Sequence, residues 1–468
     1  MIGAGLGGLA AAARLAKLGH AVTAVERSPQ VGGVVQTLER SHEISTTQRV
    51  MFRWDSGPAS MTLPAALRDL FRKSGRPLER VAELAPVTSP RRHVFADGTV
   101  LDLPVGSRSG QFRALEHVLG GATANAWQST LDDLTTTWEL LRTHALEAPF
   151  RGVRDLGPAG LRALVAGGSL RSFARRHLPD SRARSLLEHA VVGSGSDPGR
   201  APAFTAVHAY VERTFGQWTC PGGFGRLAGA LGERLRERKV DLRLGTEVAE
   251  VLTSAGRVNG VGLGDGERLA AELVVSGVDV RTLAGMVVDA APRPLRRAAR
   301  TVTPAPVSHV VHLGLRDAPE LPYETVLHGG RDLGPADREE APCIVVRAPD
   351  DPDLAPAGYR AVTVEVLGDR RGTAAGEGSA PAGGAGADPL DVLAGRGLDL
   401  RHRVVVRVDR DAASYGPTWR GLARGRGLVR NRTPLSGLYA VGGTAHPGPG
   451  VPSVLLGAAA VAQDIGRA

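Results

Sequence analysis

The apolar positions change period several times along the chain, and each change marks an element. Residues 10–18 (AAAARLAKL) combine strong helix formers and stop at Gly19, which predicts a helix, and residues 20–25 (HAVTAV) read as a strand. Residues 63–71 (LPAALRDLF) predict a helix with proline in its first turn. Short strand-like runs fill 87–103, with Ala96-Asp97-Gly98-Thr99 as a hairpin turn. From about 108 to 214 helical patterns dominate, as at 126–146 and 186–192. A Gly-rich stretch at 220–227 leads into a helix ending near Lys239, then strands at 241–244 and 246–251, a hairpin, and a strand at 273–279. Strand-like runs at 307–315 and 361–367 alternate with Pro/Asp/Gly loops. Residues 372–388 are low-complexity and cannot bury a core, so disorder is expected there. Order resumes at 400–408, and the chain closes on a strand from 438 and a helix over 453–465.

The first loop carries chemistry. Gly3-Ala4-Gly5-Leu6-Gly7-Gly8 precedes the first helix, and Glu26 ends the strand after it. Gly3 suits a tight strand-to-helix turn, Gly5 a close approach to a pyrophosphate, and Gly8 close packing of helix on sheet. The helix N-terminus offers N–H groups and a positive dipole end to phosphates. Glu26 is placed to accept from a ribose 2′-hydroxyl, and its charge disfavours a 2′-phosphate. A dinucleotide is therefore expected. Gly260-Val261-Gly262-Leu263-Gly264 looks similar, but Gly264-Asp265-Gly266 is a turn with no helix behind it, so a single dinucleotide is expected. Only Met1 and Ile2 precede Gly3, whereas the central strand of such a fold runs about five residues. Two residues should not pair along both neighbours, so Met1 is expected to stand at a position inside a longer first strand.

Composition bounds the rest. The 468 residues exceed one typical core, and 42% hydrophobic with 22% charged residues describe a soluble globular protein. With no run of 18 apolar residues no transmembrane helix is expected, and with the fold entered at residue 1 no signal peptide is expected. Cys220 and Cys343 allow at most one disulfide and have no metal-ligand spacing, so no metal is expected and a reducing cytoplasm is the simple reading. The net charge is +9, and with lysine only at 17, 73 and 239, arginine makes up 54 of the 57 basic residues. A genome-wide arginine bias explains this most simply. The sharper alternative is peripheral contact with the anionic inner face of the cell membrane, through segments such as 170–178 and 295–300. Dispersed arginines and 4% aromatics argue against a nucleic-acid partner.

Gly32-Gly33, separated from Glu26 by five residues, extends the first motif into one that resembles the FAD signature of flavoprotein oxidoreductases. Three further blocks, Asp55-Ser56-Gly57-Pro58, residues 218–251 and residues 439–452, complete a pattern similar to the phytoene desaturase (carotenoid desaturase) branch of the FAD-dependent amine oxidase superfamily. The resemblance implies an α/β fold in which a Rossmann-like FAD-binding domain (1–60, 215–282 and 425–468) is interleaved with an α+β substrate domain. The substrate domain would take its sheet from 85–107 and 300–424 and a helical cap from 61–84 and 108–214. It implies FAD contacts from Gly3, Gly5, Leu6, Gly7, Gly8, Glu26, Arg27, Gly32, Gly33, Gly57 and Pro58. Val248 would meet the adenine through its backbone, Gly442 and Gly443 the pyrophosphate and ribityl chain, and Gly450, Val451 and Pro452 the isoalloxazine. Val34 stands where the family often has arginine, residues 41–51 are long, and 372–388 replace ordered structure. The substrate is therefore not carried over in detail.

The implied reaction is desaturation of a C–C bond in a lipophilic polyene, a carotenoid or related isoprenoid, with oxygen or a quinone as electron acceptor. FAD takes the hydride, and the protein supplies positioning and exclusion of water. His446, inside the flavin-side motif, is the candidate base; the competing role is packing or hydrogen bonding within its loop. Asp55 is expected to cap the Gly57-Pro58 turn and Asp279 to act as a cap. An amine or amino-acid oxidase is the competing enzyme, for which Tyr415, Trp419 and Tyr439 leave an aromatic frame open. A redox-neutral carotenoid isomerase and a lipid-binding protein resembling the GDP-dissociation inhibitors remain further alternatives.

Overall fold

The computed structural model describes residues 1–46, 49–287, 291–306, 308–329, 343–367, 388–412, 416–422 and 425–468. A parallel sheet forms the first layer, in the order Asp241–Arg243, Thr23–Val25, Ile2, Val274–Ser276, Leu438–Ala440. Ile2 donates to Val275 O (2.9 Å) and accepts from Gly277 N (2.8 Å). On the other side Gly3 N donates to Val25 O (2.8 Å) and Met1 O accepts from Val25 N (2.9 Å). The expectation that so short a segment cannot pair with both neighbours is thus corrected. Backbone groups alternate in direction along a strand, so three consecutive residues suffice for two bonds on each side. The Met1 amino group donates to Thr23 O at 2.7 Å, and burial pushes its pKa down to about 6.

The first helix spans Leu6–Lys17, beginning four residues earlier than its alanine run predicts, because the glycine loop itself forms the first turn. Ala10 to Ala13 are wholly buried. Side chains this small let the helix lie closely between the C-terminal helix Val451–Ile465 and the helix Gly225–Glu237. An antiparallel meander, Val248–Ser254, Arg257–Leu263 and Arg268–Ala270, adjoins the parallel sheet. The glycines at 260–264 lie in its second strand and the following turn, not in a phosphate loop.

A second, seven-stranded mixed sheet runs in the order Val404–Ala412, Ser308–Arg316, Tyr359–Leu367, Cys343–Arg347, Glu324–Leu327, Arg91–Val94, Val100–Leu103. The last two strands meet at the expected Asp97-Gly98 turn. Helices from Arg108–Leu119 to Val207–Phe215 pack through Leu115, Trp127, Leu131, Leu187 and Val211 against Phe95, Leu101 and Leu103. The helix expected at 126–146 is Gly121–Leu141, continued by a single wide turn at Arg142–Leu146. Of residues 41–51, Ser41–Glu43 and Arg49–Met51 lie in a long antiparallel strand pair, Thr37–Glu43 with Arg49–Asp55. Its Phe52 and Trp54 pack with Leu354, Ala355 and Ala361 of the second sheet region, and Trp54 Nε1 donates to Leu313 O at 3.1 Å. Of the stretch read as disordered, residues 372–387 lie outside the described residues. Asp388 is ordered, its carboxylate accepting from Leu390 N (2.9 Å) to cap the helix Pro389–Gly395.

Candidate flavin site

Three glycine segments distant in sequence meet beside the first helix. Gly3 turns the chain with φ +83°, and a Cβ on Gly8 would stand 2.0 Å from Gly3 O. Gly32 N donates to Ala4 O (2.8 Å), and a Cβ on Gly33 would lie 3.1 Å from Gly5 Cα. From the opposite side, a Cβ on Gly7 would meet Gly442 N at 3.1 Å and Val454 Cγ1 at 3.0 Å. Gly5, the N-cap of the first helix, supplies no side-chain cap, and neither does Gly450 ahead of the C-terminal helix. Two uncapped positive helix ends therefore lie close together, a donor set suited to a pyrophosphate and to an electron-rich ring carbonyl. This backbone-walled cradle fits FAD.

Glu26 is buried, its Oε2 accepting from Ala4 N (2.6 Å) and its Oε1 from Ser28 N (2.9 Å). It braces the glycine loop, and a carboxylate has further lone pairs for a ribose. Arg27 beside it is exposed. Thr246 N donates to Glu26 O (2.9 Å), which brings the buried Val248 next to the same corner. Leu6 and Val451 are buried, Gly443 and Pro452 half-buried, and Gly33 and Gly450 exposed. Gly57 and Pro58 are half-buried, in a turn held where Tyr323 Oη donates to Ala59 O at 2.7 Å.

Asp55 does not cap its own turn. Its carboxylate accepts from Phe224 N at 2.7 Å, at the N-terminus of the helix Gly225–Glu237, a link across 169 positions. Asp279 caps as expected, accepting from Arg281 N at 2.8 Å. Burial pushes the Asp55 carboxyl up to about 7, with backbone N–H groups of Phe224 and Gly225 opposing and the Asp351 charge adding to it. An acid whose folded pKa lies above its unfolded value of 3.8 binds its proton more tightly when folded. Its contribution is full below that unfolded value and is lost as pH rises toward 7. Asp55→Asn is expected to flatten this slope, so that its stability relative to wild type improves between pH 5 and pH 8. Urea denaturation at the two pH values checks this, and parallel shifts of both proteins would refute it.

His446 is half-buried and stacks on Phe150, ring centroids 4.3 Å apart, while its Nε2 donates to Ala145 O at 2.6 Å. Burial lowers its pKa, with the Ala145 carbonyl opposing. The contacts tie the flavin-side loop to the helical region. Of the aromatic frame left open for an amine, Tyr439 lies in the core around the first helix, and Tyr415 lies outside the described residues. Trp419 instead packs edge-on to Phe204 and under the Arg426 guanidinium, 4.8 Å from its ring centre. No sequence signal marked Arg426, which is one arginine among several at 420–432.

The parallel sheet, glycine loop and braced acid define a dinucleotide-binding fold. Comparison with known proteins specifies it further: residues 6–373 match the model of the flavin containing amine oxidoreductases, and the chain belongs to that family. It is an FAD-dependent oxidoreductase. It is 29% identical to a 4,4′-diapolycopene oxygenase of a Methylomonas species, over 99% of this chain and 97% of the relative. It is also 29% identical to a hydroxyneurosporene desaturase of Cereibacter sphaeroides, over 99% and 96%. Among solved structures, an oxidoreductase from Methanosarcina mazei shares the fold with a TM-score of 0.65 at 20% identity, covering 99% of both chains. Among the described residues no helix is long and apolar enough to cross a membrane.

Proposed function

We propose that this protein desaturates C–C bonds of a lipophilic polyene, a carotenoid or related isoprenoid. The reading is carried by one observation: the 442–452 block stands against the Gly3–Gly8 loop in a chain that aligns end to end with relatives named for polyene desaturation and oxygenation. The domain partition expected from the sequence is part of the proposal. Residues 1–60, 215–282 and 425–468 hold FAD, and the second sheet with the helices of 61–84 and 108–214 encloses the substrate.

In this reading the Gly5 helix end and Gly442-Gly443 hold the pyrophosphate, Glu26 the adenosine ribose, and Gly450, Val451 and Pro452 border the isoalloxazine. Bound there, FAD supplies the hydride acceptor. The chain's own task is to exclude water and fix the polyene against the flavin-side loop. His446, held by Ala145 O and Phe150, positions that loop against the helices that cover it; as a base it would have to act through Nδ1. Arg426 disfavours an amine substrate, since a half-buried cation beside the loop repels a protonated amine.

Electrons would pass on to oxygen or a quinone. The protein would work in the cytoplasm with peripheral membrane contact, to which Arg175 and Arg176 of Leu170–His177 and Arg293, Arg296, Arg297 and Arg300 of Arg293–Thr301 offer exposed charge. Anaerobic incubation of the FAD-loaded protein with a polyene and with a set of amines tests the chemistry. Loss of visible flavin absorbance with the polyene alone is expected. Loss with amines alone, or with neither, would overturn the proposal.

A further inference from the structure

Where the helical region meets the flavin-side loop, one cation lacks a counterpart. Arg426 is largely enclosed by protein, and burial pushes its pKa down to about 10. Among the described residues it has no ion pair and no hydrogen bond; its guanidinium rests on the Trp419 ring. Its Nε is wholly covered and unpartnered, as is Trp419 Nε1. The side chain keeps partial exposure, which leaves the two Nη groups to reach open space. The covered Nε and Trp419 Nε1 lie out of a ligand's reach, but the two Nη groups are donors only, so what they can bind is an acceptor. Leaving a buried donor unsatisfied costs about 1–3 kcal/mol, more for a charged one.

Position narrows the acceptor. Arg426 Nη1 lies 3.6 Å from where a Cβ on Gly448 would stand, so the cation borders the flavin-side loop. Trp419 is fixed by Phe204 and by the bond from its N–H to Ser196 Oγ (3.3 Å), both from the helical region. His208, on the helix Val207–Phe215, is accessible, yet protein encloses it closely enough to push its pKa down to about 4, with Arg426 adding to that effect. Resting on Trp419, Arg426 lies where the loop meets the helical region.

We propose that Arg426, braced on Trp419, binds an oxygen-bearing group of the polyene, a hydroxyl, aldehyde or carboxylate, beside the flavin-side loop. The inference rests on the polyene reading above and names the chemistry of its substrate. A plain hydrocarbon would leave the guanidinium without a partner, whereas an oxygenated chain would complete it. The same donor chemistry would also serve a flavin carbonyl, and the test separates the two sources.

The FAD-loaded protein is titrated with 4,4′-diapolycopene and with its terminal aldehyde and carboxylate derivatives, followed by tryptophan fluorescence, and FAD affinity is measured separately. Wild type is expected to bind the oxygenated chains at least tenfold more tightly than the hydrocarbon. Arg426→Gln is expected to lose that preference while its affinity for the hydrocarbon and for FAD stays within about twofold, and Arg426→Lys to keep part of it. Trp419→Phe, which retains the ring, is expected to fold and to preserve most of the preference. Equal affinities in wild type would overturn the inference while leaving the polyene reading intact. So would an Arg426→Gln variant that discriminates normally but binds FAD weakly, since the cation would then serve the flavin. Failure of every polyene to bind, with amines binding instead, would remove both.

Discussion

Gly8→Ala is expected to abolish FAD binding and to cost about 3 kcal/mol of stability, near the upper end of what overpacking usually costs. A Cβ there would lie 2.0 Å from Gly3 O, and 3.1 Å from the carbonyl carbon behind it. The obstacle is backbone and has little freedom to retreat. Gly3 N is bonded to Val25 O, and Ile2 on its other side pairs with both Val275 and Gly277. Relief requires the first helix to lift from the sheet, which moves Gly5 and Gly7 away from Gly33 and Gly442 and opens the cradle. Gly229→Ala is the control. It lies in the helix Gly225–Glu237 with nothing within 4 Å of a new Cβ, so it should be neutral or stabilising by up to about 1 kcal/mol. Urea midpoints and FAD titration of both variants check the pair. Native FAD affinity in Gly8→Ala would refute the packing argument.

The same contrast explains what the sequence disclosed. Gly3 and Gly8 were legible because their requirement is local, a turn and a backbone too close for a Cβ, whereas Gly32 stood out through the resemblance. The hairpin at 96–99 and the Asp279 cap were legible for the same reason. Asp55 was misread because the group it satisfies, Phe224 N, arrives through tertiary folding and no short-range pattern records it. The first strand was misjudged by counting residues where the direction of successive N–H and C=O groups decides. Arg426 stayed invisible because a solvated arginine and an enclosed, unpaired one are spelled alike. Only its stacking on Trp419 and the absence of a carboxylate among the described residues separate the two cases.

A larger buried charge cluster was equally hidden, and removing its centre is the most severe side-chain change expected. Glu324 is 4% exposed and lies between two guanidiniums. It pairs with Arg91 through one oxygen and with Arg347 Nε at 3.0 Å through the other. Arg91 also binds Glu212 Oε2 (2.9 Å) and Gln217 Oε1 (3.3 Å), and Arg347 binds Glu365 Oε2 (2.9 Å). The cluster joins four strands of the second sheet to the helix Val207–Phe215, so it fixes the sheet against the helical cap. Glu324→Gln keeps the shape but withdraws a charge from both arginines, and breaking such a buried pair costs about 3–5 kcal/mol. A pH series distinguishes lost charge from lost packing. Burial would raise the Glu324 pKa, but Arg91 and Arg347 outweigh it and hold the carboxyl down at about 2. For an acid with a depressed folded pKa, the stabilisation is complete above the unfolded value of 4.5 and is lost as pH falls from there toward 2. Wild type should therefore lose stability across that window more steeply than Glu324→Gln, and the two urea midpoints should converge as pH falls. A constant gap from pH 6 to pH 3 would mean that the glutamate acts through packing alone.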